Sequence, residues 1–157
     1  MTVSIRLCVA LGATALALTI AGCATVDYVA PPPGTASAEA TFRTLVGVGT
    51  NISIVSDETC KRGPRVTVAL FTPLRGTRDA APKPIPAGRK LVFQATSDFP
   101  VSPTLHKTCM AMASVTPEAG HRYEITHESC GVLAITEAGT YQSAPSYAPI
   151  AVPKSCW

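Results

Sequence analysis

The stretch HRYEITHE, residues 121–128, alternates Arg122, Glu124, Thr126 and Glu128 with His121, Tyr123, Ile125 and His127. A β-strand turns successive side chains to opposite faces, so this segment reads as a strand with its charge on one face and its rings and Ile125 on the other. The same period of two recurs upstream: Val66, Val68 and Leu70 alternate with Arg65, Thr67 and Ala69, and Leu91, Phe93 and Ala95 with Lys90, Val92 and Gln94. Thr41 to Val48, Asn51 to Val55, Leu105 to Val115 and Gly131 to Thr136 are further strand candidates. Turn punctuation falls between them: Gly63 with Pro64, then Pro82, Pro84, Pro86 and Gly88, then Pro117 with Gly120, then Gly139. No long segment carries the apolar stripe of a helix. About seven short strands at this spacing predict an all-β domain over residues 41–157, an antiparallel β-sandwich or a small barrel, because a sheet with one apolar face needs a second layer to bury it. That length supports one core.

The first twenty-two residues read differently. Arg6 and the amino terminus are positive, Leu7 to Ile20 are apolar apart from Gly12, Thr14 and Thr19, and the small residues Ala21 and Gly22 follow. The apolar run is too short for a permanent spanning helix, which needs about 20 residues. Ile20, Ala21, Gly22 and Cys23 resemble the lipobox of bacterial lipoproteins. That resemblance implies removal of residues 1–22 and a diacylglyceryl thioether on Cys23, with a further acyl chain such as palmitate on its amine. At about 0.8 kcal/mol per buried methylene, such chains hold a protein on a membrane. In the same family an aspartate after the lipidated cysteine favours the inner membrane. Ala24 stands there instead, which implies the periplasmic leaflet of the outer membrane.

Cys8 leaves with the leader and Cys23 carries lipid, so Cys60, Cys109, Cys130 and Cys156 remain. In an exported domain an even set reads as two disulfides, with three connectivities open. No pair has the C-x-x-C spacing of a zinc site. The run Thr116, Pro117, Glu118, Ala119, Gly120, His121 suits a type I turn, with glycine where a positive φ leaves it. Read as a hairpin, it brings Cys109 and Cys130 to one face with an offset that a bulge would absorb. Pairing Cys109 with Cys130 leaves Cys60 with Cys156. The alternative of Cys60 with Cys109 and Cys130 with Cys156 stays open.

Residues 23–40 read as the lipidated cysteine and a Pro-rich tether, since Pro31, Pro32, Pro33 and Gly34 precede Thr, Ala and Ser without apolar period. An extended tether at about 3.1 Å per residue would reach roughly 50 Å from the bilayer. The Ile85, Pro86, Ala87, Gly88 piece before a strand, with Thr116 to Ile125, is similar to small bacterial lipoproteins carrying immunoglobulin-like or transthyretin-like β domains. Most have no assigned activity, so the resemblance implies the architecture and carries no binding residue.

Catalytic chemistry is not signalled. A serine nucleophile needs a base and a supporting acid, and no G-x-S-x-G elbow is present. His121 and His127 share a face but stand about 20 Å apart along a strand, too far for one metal. The remaining pairings, His121 with His106 or His127 beside Glu128, read as polar rings at strand ends. Asp57 with Glu58, and Glu124 with Glu128, read as solvated acids. No cofactor, metal or catalytic residue is expected.

The chain's formal charge is +3, and loss of Arg6 leaves twelve basic residues against ten acidic, which argues against nucleic acid. Basic residues do gather: Lys61, Arg62 and Arg65 beside Cys60, and Arg75, Arg78, Lys83, Arg89 and Lys90 around a Pro-rich loop. Arg75, Arg78 and Lys83 are candidates for binding envelope phosphates or carboxylates. From Ser129 to Pro153 the only charge is Glu137, which makes Tyr141, Tyr147 and Trp157 candidates either for packing a tail on the sandwich or for meeting a protein partner. The expectation is a non-enzymatic, periplasm-facing, lipid-anchored protein that binds or scaffolds an envelope protein or cell-wall partner. The alternative is a ligand-binding or inhibitory module that captures metal or restrains a wall-degrading enzyme.

Overall fold

The computed structural model describes residues 25–46, 49–61, 64–72, 79–102 and 105–156, and within them the chain forms a two-sheet β-sandwich. The strands are β1 (Thr25–Asp27), β2 (Ser37–Thr44), β3 (Thr50–Val55), β4 (Arg65–Phe71), β5 (Asp79–Pro86), β6 (Leu91–Ser102), β7 (Leu105–Val115), β8 (Arg122–Ser129), β9 (Val132–Glu137) and β10 (Ala148–Ile150). One sheet has the order β1-β4-β3-β6-β7-β10 and the other β5-β2-β8-β9. The sheets are open, which decides for a sandwich over a barrel. Most neighbours are antiparallel, but β1 runs parallel to β4 and β2 parallel to β8.

Alternation fills the layer between the sheets. Ala38, Ala40, Phe42, Tyr123, Ile125, Leu133 and Ile135 face Ile52, Val68, Phe93, Ala95, Ala111, Ala113 and Val115. Phe42 and Phe93 meet across this layer with ring centroids 6.2 Å apart. The six-stranded sheet also buries a patch on its outer face. Val55, Val92, Met110 and Met112 lie there under a cover made by Cys60, Ile150, Val152 and Cys156. Disulfides Cys60–Cys156 and Cys109–Cys130 close the fold, each with Cα atoms 5.1 Å apart.

The molecule has two distinct ends. At the Arg65 end, Thr25 pairs with Arg65, Val55 with Val92 and Leu91 with Val115, and β10 begins beside Ser114. At the opposite Leu105 end lie the termini of β2, β4, β6 and β8.

Three expectations are corrected. Residues 23–40 were expected to stay outside the fold, yet β1 lies within them and β2 begins at Ser37. Ala38 and Ala40 are buried with Phe42, so small alanines that resemble linker composition are the inward half of an alternation. The Tyr28 hydroxyl donates to the Pro84 carbonyl at 2.5 Å, tying the intervening segment to the sandwich.

Pro82, Pro84 and Pro86 belong to a strand, not a loop. β5 is the edge of its sheet; Pro84 and Pro86, two residues apart, remove N–H groups from one side of it, and Pro82 falls at the bulge between Ala80 and Lys83. Third, Thr116 to His121 does not close a hairpin: β7 and β8 lie in different sheets. Gly120, at φ 79°, provides the positive φ, but its N–H donates to Ser37 at 2.9 Å, and Gly88 N–H donates to Pro117 at 2.8 Å. The turn therefore crosses between layers, and Tyr123 fixes it by accepting the Glu118 N–H at 3.0 Å. Cys109–Cys130 is formed as expected, but it joins a strand of one sheet to the β8–β9 turn of the other.

Candidate functional site

Histidine and hydroxyl chemistry meets at one place, near the Leu105 end. His127 on β8 and Ser97 on β6 are both fully buried, with His127 Nδ1 3.0 Å from Ser97 Oγ. Ser97 Oγ lies 2.6 Å from Thr50 Oγ1, which donates to the Val46 carbonyl at 3.2 Å. Thr44 Oγ1 donates to the same carbonyl at 3.0 Å. Each hydroxyl has one proton. Thr50 Oγ1 also lies 3.1 Å from Thr44 Oγ1, so the three hydroxyls and the His127 ring form one buried chain that ends on the Val46 carbonyl. Ser97 Oγ and the His127 ring are both fully buried, so no solvent-side substrate reaches the hydroxyl, which nucleophilic attack requires. Burial holds the His127 pKa below its ordinary value, with the Ser129 backbone working weakly the other way. Its Nε2 is buried without a hydrogen-bond partner. The cluster is an interior polar brace.

His121 is placed differently from His127, although their sequence parity is the same. It precedes β8 at the Arg65 end, 3.4 Å from both Glu118 and Glu137 and half exposed. His106 pairs with Pro100 near the other end, about 30 Å along β7 from the turn that holds His121. Among the described residues no three His, Cys, Asp or Glu side chains converge as metal ligands. Glu124 and Asp79 both bind Arg43, at 2.7 and 2.6 Å, on the solvent face of the four-stranded sheet. Neither acid is free.

The basic grouping read around residues 75–90 is divided. β5 runs through it, so Arg89 and Lys90 sit at the Arg65 end, about 25 Å along the strand from its first residue, Asp79. Arg75 and Arg78 themselves lie outside the described residues, as do Cys23 and Trp157. Lys83 is half-buried and donates to the Val68 carbonyl at 2.6 Å, on the wall of a groove. A groove of about 570 Å³ lies beside it between β4 and β5, lined in part by Asp27, Tyr28 and Leu70.

The tail packs in part. Ala144 is buried, Tyr147 is half-buried against the core and its hydroxyl pKa is raised by burial and then by Glu128. Tyr141 stands in solvent at 93 % exposure, with φ 57°. Tyr141 and Tyr147 therefore do not form one aromatic strip.

The surface that sequence reading missed is the Leu105 end. Leu45, Leu70, Val101, Leu105 and Val132, each more than two-fifths exposed, lie on the strand termini and turns there. In sequence these residues are scattered, and only the sandwich collects their strand ends. Comparison with family models, with curated proteins and with solved structures finds no match.

Proposed function

We propose that the protein is a lipid-anchored, non-enzymatic binding module of the bacterial envelope, fastened at Cys23 to the periplasmic leaflet of the outer membrane and presenting its Leu105 end to a protein partner. The observation that supports binding is that Val101 and Leu105, where β6 ends and β7 begins, and Leu45 and Val132, at the same end of the four-stranded sheet, are all exposed apolar side chains. Exposed apolar groups in one region mark contact surfaces, whereas single ones need no explanation. The anchor reading draws on the lipobox-like residues 20–23, and the two disulfides fit an oxidising compartment. The complete burial of Ser97 and His127 favours a structural role for that pair over catalysis.

Two measurements test this reading. Metabolic labelling with radioactive palmitate should mark the wild type and not Cys23→Ser, and the variant should move from the membrane to the soluble fraction. An unlabelled wild type that still pellets with membranes would overturn the anchor. Affinity capture from solubilised envelopes should recover a protein partner that is lost, about tenfold or more, in Leu105→Glu, with thermal unfolding unchanged. Capture unaffected by Leu45→Glu and Leu105→Glu together would overturn the assigned surface.

A further inference from the structure

We infer that the domain stands end-on upon the bilayer, with the Arg65 end of the six-stranded sheet against anionic lipid headgroups. This inference rests on the reading of Cys23 as the anchor, and adds to it an orientation and a charged contact surface.

The first argument is length. β1 begins at Thr25, only two residues after Cys23, and two residues of chain span at most about 7 Å. The Pro-rich run lies on the far side of β1 and cannot act as a spacer. Because β1 is parallel to β4, its first residue sits beside Arg65, at the end of the sheet where β6 and β10 also begin. A lipid on Cys23 therefore brings that end to the headgroups.

The second argument is charge. Lys61, Arg65, Arg89, Lys90 and Lys154 all belong to this end or to the cover over its outer face, against Asp27, Asp57 and Glu58. Lys90 is bonded to Glu58, and Arg65 donates to the Cys156 carbonyl at 3.2 Å. Lys61, Arg89 and Lys154 are exposed. Arg89 and Lys90 rim a recess of about 360 Å³ with half-buried Ile54 and Val66 on its floor. Glu118 and Glu137 lie at the same end but on the four-stranded side, around His121. The charge asymmetry tilts the domain so that the six-stranded side faces the anionic surface, and Glu118 and Glu137 face away. Attraction to such a surface acts within a screening length of about 8–10 Å, a distance the short junction does not exceed. The Leu105 end is then held out by the length of β6, about 37 Å.

Lysine footprinting tests the orientation. Protein purified from membranes is acetylated in detergent micelles and on vesicles of phosphatidylethanolamine and phosphatidylglycerol. The expected result is about threefold or greater protection of Lys61, Lys90 and Lys154 on vesicles, with Lys107, exposed near the other end, unchanged. Protection should fall on phosphatidylcholine vesicles. It should vanish when about twenty Gly-Ser residues, spanning about 25 Å, are inserted between Ala24 and Thr25. A chain that does not pellet with vesicles overturns the anchor reading and the orientation together. A chain that pellets but shows Lys90 and Lys107 labelled alike, Lys107 protected instead, or protection insensitive to the insertion overturns the orientation alone.

Discussion

The two ends of this sandwich are each closed by one disulfide, yet they are built on different terms. At the Leu105 end, Cys109–Cys130 joins the two sheets across a separation of 21 residues, and a buried chain of hydroxyls ending at His127 fills the space between the layers. At the Arg65 end, Cys60–Cys156 spans 96 residues and holds a cover over Met110 and Met112 on the outer face. Ser155 Oγ donates to the Thr59 carbonyl at 2.5 Å and reinforces that seam. One end is stabilised by what lies inside the sandwich, the other by a strap around it. A strap has few apolar contacts of its own, so its order depends on the crosslink.

The largest effect expected from this difference is on the strap. Cys60→Ser with Cys156→Ser should lower unfolding free energy by about 4–5 kcal/mol in the chain-entropy limit, against about 3 kcal/mol for Cys109→Ser with Cys130→Ser. Urea unfolding measures both. Hydrogen exchange should separate them further: loss of Cys60–Cys156 should release amides of 56–61 and 151–156 while β6 and β7 stay protected. Uniform loss of protection would show that the strap and the core are one cooperative unit.

Next in size is Phe93→Ala, which removes the ring that meets Phe42 midway between the ends. It should cost about 3–5 kcal/mol and lower the urea midpoint without changing which strap amides exchange first. If the two ends lost protection in a different order, the shared core would not be what couples them.

Acid should weaken the Leu105 end first. The His127 pKa is depressed by burial, so the unfolded chain binds a proton more readily than the folded one below the ordinary histidine value. Stability from this residue is full above about pH 6.5 and falls as pH drops through and below that value. Urea midpoints at pH 7.5 and 5 should differ in the wild type, and the difference should shrink in His127→Asn.

The smallest effect belongs to a turn near the Arg65 end. Tyr141 occupies a left-handed conformation, at φ 57°, with its side chain in solvent, so Tyr141→Gly should raise stability by about 0.5–1 kcal/mol. A loss of stability there would mean that the exposed ring makes contacts that offset the backbone strain.

The contrast between the ends also shows what was legible beforehand. β4, β6 and β8 follow from alternation, because the period of two is a local property of each segment, and β3, β7 and β9 fall on the further strand candidates between the turn residues. β7 falls on Leu105–Val115, the expected bounds. β2 begins at Ser37, four residues before the expected Thr41, because Ala38 and Ala40 are apolar without being bulky. β5 was hidden by prolines, which a sheet accepts only at an edge, and edges are not marked in sequence. β1 and β10 are three residues each, too short to show a period. Of the candidate binding residues, Lys83 and Tyr147 look available in sequence but are half-buried, on β5 and in the tail.

By itself, the sequence determined that this chain is all-β, that its charges line one face of β8, and that four cysteines were available to bridge. These depend on neighbours two or three residues apart. Tertiary structure alone decided that Thr116 to His121 crosses between sheets, that Cys60 meets Cys156, and that His127 is sealed while His121 is half exposed. Each of those outcomes depends on which distant strand completes the burial of an apolar face, and a turn of given chemistry serves a hairpin or a crossing equally well.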